Sequence, residues 1–211
     1  MTITFYDTST APSPRRARII LAEKNVPHEV VQIDMMTNEQ LSPEYRKINP
    51  GSTIPALKLD DGTVLTDNAG IAAYLEVEYP DPPLLGTTAL EKAEVATWQF
   101  RIENGLGMAV ASAFRNVHPA MKGRALPGPH DYEQIPELAE RGLAQIEHFL
   151  TSFDQHMSGR AFIAGERFSV ADVTAICFLD FMRVTGRKLD DSQPNILAYR
   201  KRMGERPSVN L

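Results

Sequence analysis

The sequence predicts an α/β domain joined to an all-α domain, and three observations carry that reading. Short apolar, β-prone stretches alternate with helical spacing through residues 1–80. Pro80-Asp81-Pro82-Pro83 then breaks the pattern. From Ala89 onward the apolar residues keep a helical period, with no strand alternation before the C-terminus. The expected organisation is a βαβ-ββα domain over 1–80, a linker over 81–88 and an all-helical domain over 89–211.

Each element has its own signal. Ile3 to Tyr6 reads as a strand, with Tyr6 in a core role, and the Ser/Thr/Pro cluster Thr8 to Pro14 ends it. Arg15 to Asn25 spaces Ile19, Ile20 and Ala22 as an amphipathic helix, stopped by Asn25 and Pro27. His28 to Ile33 is a second strand. Past a polar stretch, Ala56 to Leu59 and Thr63 to Leu65 flank Asp60-Asp61-Gly62, an Asp-Gly hairpin signal that makes strands three and four antiparallel neighbours. Asp67 is a natural N-cap for a helix carrying Ile71, Ala72, Tyr74 and Leu75 to about Tyr79. In the second domain one long helix is expected from Leu90 towards His118. A Pro/Gly-rich loop at Leu126 to Pro129 and a helix from Tyr132 to Met157 come next, then two shorter helices. The first of these opens at Phe168-Ser169-Val170-Ala171-Asp172-Val173, where Ser169 caps, Asp172 reaches back, and Phe168 and Val173 form a hydrophobic staple.

Composition narrows the functional classes. A chain of 211 residues with 43% hydrophobic and 23% charged residues can bury a sizeable core, which excludes a disordered protein. No apolar run approaches the roughly 20 residues that span a bilayer, so no membrane partner is expected. Met1 to Asp7 lack a secretory signal and Cys177 is the one cysteine, which points to the reducing cytoplasm. A net charge of −5 disfavours a nucleic-acid footprint. His28, His118, His130, His148 and His156 include no pair four residues apart, so no metal is expected. There is no glycine-rich phosphate loop and no Gly-x-Ser-x-Gly elbow. Cys177 lies in an apolar helical stretch as an inert core thiol, so a reactive sulfur has to arrive with a cosubstrate.

Three segments taken in order carry a family resemblance. They are Ala11-Pro12-Ser13-Pro14-Arg15-Arg16-Ala17-Arg18-Ile19, Ile48-Asn49-Pro50-Gly51-Ser52-Thr53-Ile54-Pro55-Ala56-Leu57, and Leu65-Thr66-Asp67-Asn68-Ala69-Gly70-Ile71-Ala72-Ala73-Tyr74-Leu75. Together with the capping motif Ser169 to Asp172 they resemble the cytosolic glutathione transferases over the whole chain. The resemblance implies a thioredoxin-like first domain that binds glutathione and a helical second domain that helps hold a small apolar electrophile. It also implies a homodimer and a role in detoxification.

The motifs have physical readings beside the resemblance. Ile54-Pro55 precedes an edge-like strand, and a proline that is cis in the family turns the chain so that Ile54 offers its N–H and C=O to a bound peptide. The alternative is a plain loop proline. Thr53 adjoins it. Asp67 and Asn68 lie at a helix N-terminus, which favours a carboxylate, while Asp67 can accept an ammonium; together these suit the zwitterionic γ-glutamyl end. The alternative there is an ordinary Asp cap.

The chain departs from the family at its activating position, where Ser, Cys or Thr is usual and Ala11 stands here. Lowering a thiol pKa by two units takes about 2.7 kcal/mol. A hydrogen bond to a charged group supplies roughly 1.5–3 kcal/mol, and a helix N-terminus about 0.3–1. Ala11 therefore weakens thiolate formation without abolishing it, and neighbouring hydroxyls can substitute. Ser13 is the first candidate, with Ser9 and Thr10 next; the alternatives are that Ser13 caps the helix and the other two are solvated. The usual Glu-Ser pair is Asp67-Asn68, and the linker glycine is displaced, giving Gly51-Ser52. Arg16 suggests the maleylacetoacetate isomerase pattern, but Ala11 and Pro12 replace its paired serines and exclude it. Met108, Phe114 and Met121 are candidates for the electrophile pocket or for core and dimer contacts. Conjugation of glutathione leads, followed by glutathione-dependent reduction of disulfides or peroxides. Ala11 motivates a third reading, a binding protein with little catalysis.

Overall fold

The computed structural model describes residues 3–211, which divide into two compact units. One runs to Pro82 and takes in Pro127–His130; the other comprises Pro83–Leu126 and Asp131–Leu211.

The first unit is built from β1 (Ile3–Asp7), α1 (Pro12–Glu23), β2 (His28–Gln32), α2 (Pro43–Arg46), β3 (Ala56–Lys58), β4 (Val64–Leu65) and α3 (Asn68–Glu78). Its sheet order is β2-β1-β3-β4, with β1 parallel to β2 and antiparallel to β3, and β3 antiparallel to β4. This mixed sheet has the βαβ-ββα order that the strand and hairpin signals predict, and the thioredoxin-like arrangement that the resemblance implies. β1 is central and buried almost throughout, whereas β2, an edge strand, keeps Glu29 to Gln32 exposed. Ala17, Ile19, Ile20 and Leu21 of α1 are buried, as are Ile71, Ala72 and Leu75 of α3, and the two helices pack together. Strand alternation turns Tyr6 to the opposite face from Phe5, where it joins Ile33, Tyr45 and Ala56 in a second cluster. Lys24 closes the unit from inside: its buried ammonium donates to the Tyr79 and Pro82 carbonyls at 2.7 and 2.9 Å and pairs with Glu76 at 2.8 Å.

Two local readings are corrected. Helix α1 begins at Pro12 rather than Arg15, because proline's fixed φ suits the first turn and its missing N–H costs nothing there. The polar stretch after β2 contains α2, anchored by the buried Tyr45 and capped by the Ser42 hydroxyl, which accepts from Tyr45 N–H at 3.1 Å.

The second unit contains α4 (Ala89–Ile102), α5 (Met108–Arg115), α6 (Pro136–His156), α7 (Val170–Phe181) and α8 (Pro194–Met203). The expected long helix is α4 and α5 joined by a π-helical turn, Glu103–Gly107, and it ends at Arg115, short of His118. Helix α6 starts at Pro136, not Tyr132, because Tyr132 bridges to Arg124 and Ile135 N–H is held by the Asn116 side chain at 3.0 Å. Gly142 lets α5 and α6 approach: a Cβ there would lie 2.7 Å from the Ala109 carbonyl oxygen. Helix α7 is the core, buried continuously from Val170 to Cys177. No helix among the described residues is long and apolar enough to cross a membrane.

Candidate functional site

One end of the sheet gathers the motif residues. β1 finishes, β3 starts and β4 finishes at the same end of the sheet, so Thr8, Ile54, Pro55, Asp67 and Asn68 all follow or precede strands at that end. Helices α1 and α3 both begin just after strands that finish at this end.

Ile54 is half-buried and its peptide bond to Pro55 is cis. Its N–H and C=O take no hydrogen-bond partner among the described residues. The approach to it is braced. Asn49 Nδ2 donates to the Thr53 carbonyl at 2.8 Å and to Thr53 Oγ1 at 3.0 Å, and the Tyr45 hydroxyl donates to the same carbonyl at 2.8 Å. Burial pushes the Tyr45 phenol up to about 12, so it remains a neutral donor. Thr53, expected to touch the ligand, thus spends its carbonyl on holding the segment that presents Ile54.

Asp67 occupies the N-cap position of α3, yet its carboxylate takes no capping bond, contrary to the cap its sequence position suggests. The group is exposed, with only the Thr66 hydroxyl 3.4 Å away. Asn68 beside it is buried at 8% exposure, and its Oδ1 has no hydrogen-bond partner among the described residues. A buried amide oxygen without a partner carries a desolvation cost that a bound donor would remove.

At α1 the N-cap is Ala11, with extended backbone and no side-chain bond, so Ser13 is not the cap; it is the second residue of the helix. Four N–H groups at a helix start lack intrahelical partners. Here those positions are Ala11, Pro12, Ser13 and Pro14, and the prolines have no N–H, so the donors reduce to Ala11 and Ser13. Ser13 therefore offers an amide and a hydroxyl together. Ser9 and Thr10 are exposed, and the hydroxyls of Ser9, Thr10 and Ser13 make no hydrogen bond among the described residues.

In the helical unit Met108 is 55% exposed at the start of α5. Phe114 is half-buried, with ring centroids 4.7 Å from His118 and 6.1 Å from Phe181. Their spacing sets them about 120° apart around α5, on different faces. Met121 is half-buried in a 3-10 turn, Pro119–Met121. Sequence reasoning passed over Gln40, buried at 3% exposure with Oε1 unpartnered among the described residues; as a lone amide in a polar run it gives no signal.

The arrangement offers an open backbone edge, an uncapped helix start with a free carboxylate, and a helix start with an amide and hydroxyl donor. Comparison with known proteins agrees with it. Residues 10–78 match the model for the glutathione S-transferase N-terminal domain and residues 97–207 the model for its C-terminal domain. The chain is 34% identical over 209 residues to glutathione S-transferase 2 of Saccharomyces cerevisiae, covering 97% of this chain and 86% of that one. Its structure is similar to that of a glutathione S-transferase domain-containing protein from Marinobacter aquaeolei, with TM-score 0.89 and 31% identity over 98% of this chain and 99% of that one. A glutathione S-transferase from Methylobacillus flagellatus, solved with GSH bound, matches with TM-score 0.82 and 26% identity over 99% and 97% of the two chains. With both domain models matched in order and a relative 34% identical over nearly the whole chain, the chain belongs to the glutathione S-transferase family.

Proposed function

We propose that the chain binds glutathione and activates its thiol for attack on a small apolar electrophile. The observation that carries this reading is the convergence of Ile54, Asp67 and Asn68 at one sheet end, each with hydrogen-bonding capacity unused by the fold. The cysteinyl backbone pairs with Ile54 N–H and C=O as a short added strand. The γ-glutamyl ammonium meets Asp67, and its carboxylate meets the open N–H groups at the start of α3. The sulfur lies at the start of α1, where the Ser13 amide and hydroxyl favour the thiolate and Ser9 and Thr10 are the reserve donors. The thiol proton leaves to solvent. The sulfur lone pair then forms a thioether bond to the electrophilic carbon as a leaving group departs with its bonding pair or, at an activated double bond, as the π pair shifts onto the substrate and takes up a proton from solvent. The single cysteine supports a reducing, cytoplasmic setting, and membership of the family supports a detoxifying role. Leu90 and Phe100 of α4, 79% and 66% exposed, are where a second copy would pack in a homodimer.

The test is calorimetric titration with glutathione, followed by ultraviolet absorbance of the bound thiolate across pH. Binding with a thiol pKa well below about 8.5 supports an activating site. Electrophile, disulfide and peroxide substrates then decide between conjugation and reduction. Ala11 favours a second reading, a binder with little catalysis: binding without a lowered pKa, and a large gain in turnover in Ala11→Ser, supports that one.

A further inference from the structure

The loop between β1 and α1 carries the reserve hydroxyls of Ser9 and Thr10 and leads into the Ser13 amide and hydroxyl assigned to the sulfur, and it is held from beneath. Asp7, the last residue of β1, is buried at 2% exposure. Its carboxylate accepts from Arg18 Nε at 3.0 Å and Arg18 Nη2 at 2.8 Å, a two-point fork, and from Gln32 Nε2 at 3.1 Å. Its carbonyl accepts from Ile33 N–H at 2.8 Å. Arg18 Nη2 also donates to the Thr8 carbonyl at 3.2 Å. Beyond Thr8, neither Ser9 nor Thr10 makes a hydrogen bond among the described residues, and regular structure resumes only at Pro12, the first residue of α1. The route of Thr8-Ser9-Thr10-Ala11 is thus fixed at its start by one guanidinium that stands on α1 itself, two turns into the helix.

We infer that Arg18 is a positioning residue for thiol activation, acting through the Thr8 carbonyl to set where the loop donors and the Ser13 amide stand relative to the sulfur. This rests on the reading under Proposed function. The geometry assigns the role to the shape of the side chain as well as its charge. A planar guanidinium spans the Asp7 carboxylate and the Thr8 carbonyl at once, whereas an ammonium is a point donor that can keep Asp7 paired without holding both. Arg18→Lys therefore leaves the buried acid compensated while loosening the loop. Recognition by Ile54, Asp67 and Asn68 is carried by other segments and stays in place.

The experiment compares wild type, Arg18→Lys and Gln32→Leu in glutathione affinity by calorimetry, in the pKa of the bound thiol by ultraviolet absorbance, and in thermal midpoint. Gln32→Leu removes a bond to Asp7 without touching the Thr8 carbonyl. The expected result is a bound-thiol pKa higher by about one pH unit in Arg18→Lys, with glutathione affinity within about twofold of wild type and the Gln32→Leu pKa unchanged. If both variants lose only thermal stability and leave the thiol pKa where it is, Arg18 is a structural clamp and the inference is overturned. The same holds if Gln32→Leu raises the pKa as much as Arg18→Lys. Wild-type protein that does not lower the thiol pKa removes the proposed activation and this inference with it, whereas a lowered wild-type pKa that survives in Arg18→Lys overturns this inference alone.

Discussion

The start of α7 and the starts of α1 and α3 all come from motif segments, but they treat their polar groups in opposite ways. At α7 the Asp172 carboxylate is wholly buried and accepts from Ile163 N–H, Ser169 N–H, the Ser169 hydroxyl and the Tyr199 hydroxyl, all at 2.9–3.0 Å. At α3 Asp67 is itself the N-cap residue and takes no capping bond, and at α1 the N-cap is an alanine. Saturated polar groups fix the fold there; unsaturated ones remain available to a ligand here. The difference separates motif residues that build the scaffold from those whose polar groups the fold leaves open, although both recur as helix-start signals in sequence.

The comparison breaks most severely at Asp172. Replacing it by Ala leaves several buried donors without an acceptor, and an uncompensated buried network of this kind costs about 3–5 kcal/mol; urea unfolding is the measurement. The same group gives a pH signature. Burial lifts its pKa to about 6, against the opposing pull of its donors. The unfolded chain's Asp ionises first, near pH 4, so folding stability from this group is highest below that value. It falls by at most about 1.4 kcal/mol per pH unit up to pH 6, and is flat above. Asp172→Asn removes that slope.

Next in size is Asp67. Because its carboxylate does no capping, Asp67→Ala leaves the thermal midpoint close to wild type while glutathione affinity falls about ten- to a hundredfold, the loss of one charge-assisted bond. A variant that lost stability instead would make Asp67 a cap after all. Ser13→Ala is smaller: the Ser13 amide survives, so the bound-thiol pKa rises by about one pH unit without reaching the free value.

Much of this was legible, for identifiable reasons. The Asp61-Gly62 turn, with Gly62 at φ +89°, and the reach-back of Asp172 to Ser169 are local chemistry, and local chemistry is written in adjacent residues. Ile54, Pro55, Asp67 and Asn68 are adjacent in motifs for the same reason. Other features depend on how the chain folds. The brace of Asn49 and Tyr45 on Thr53 depends on how the segment 45–53 folds back on itself, which the motif alone does not state. At Asp67 the sequence leaves a cap and a ligand contact both open, because either role puts an aspartate before a helix, and the missing capping bond depends on how the side chain is set in the fold. The π-helical turn at Glu103–Gly107 leaves the hydrophobic period nearly intact, which is why α4 and α5 read as one helix.

The displaced glycine of the Asn-Pro segment gives the smallest effect. The left-handed backbone falls on Ser52, at φ +53°, while Gly51 has no positive φ and serves a different need. A Cβ on Gly51 would lie 3.0 Å from Asn49 Oδ1, the atom that accepts Gly51 N–H at 2.9 Å. Gly51 thus makes room for the brace, and Ser52 carries the strain. Ser52 is also buried at 3% exposure, with Oγ unpartnered among the described residues. Ser52→Gly relieves the left-handed strain and removes an unsatisfied buried hydroxyl, against the entropy that a second adjacent glycine adds to the unfolded chain. The strain and desolvation terms are the larger, so the substitution stabilises the protein by about 1 kcal/mol. Denaturant unfolding measures it. A glutathione affinity unchanged within about twofold in the same variant places the strain in the scaffold; a loss of affinity places it in the site, where the backbone turn at Ser52 sets the angle at which Ile54 meets its ligand.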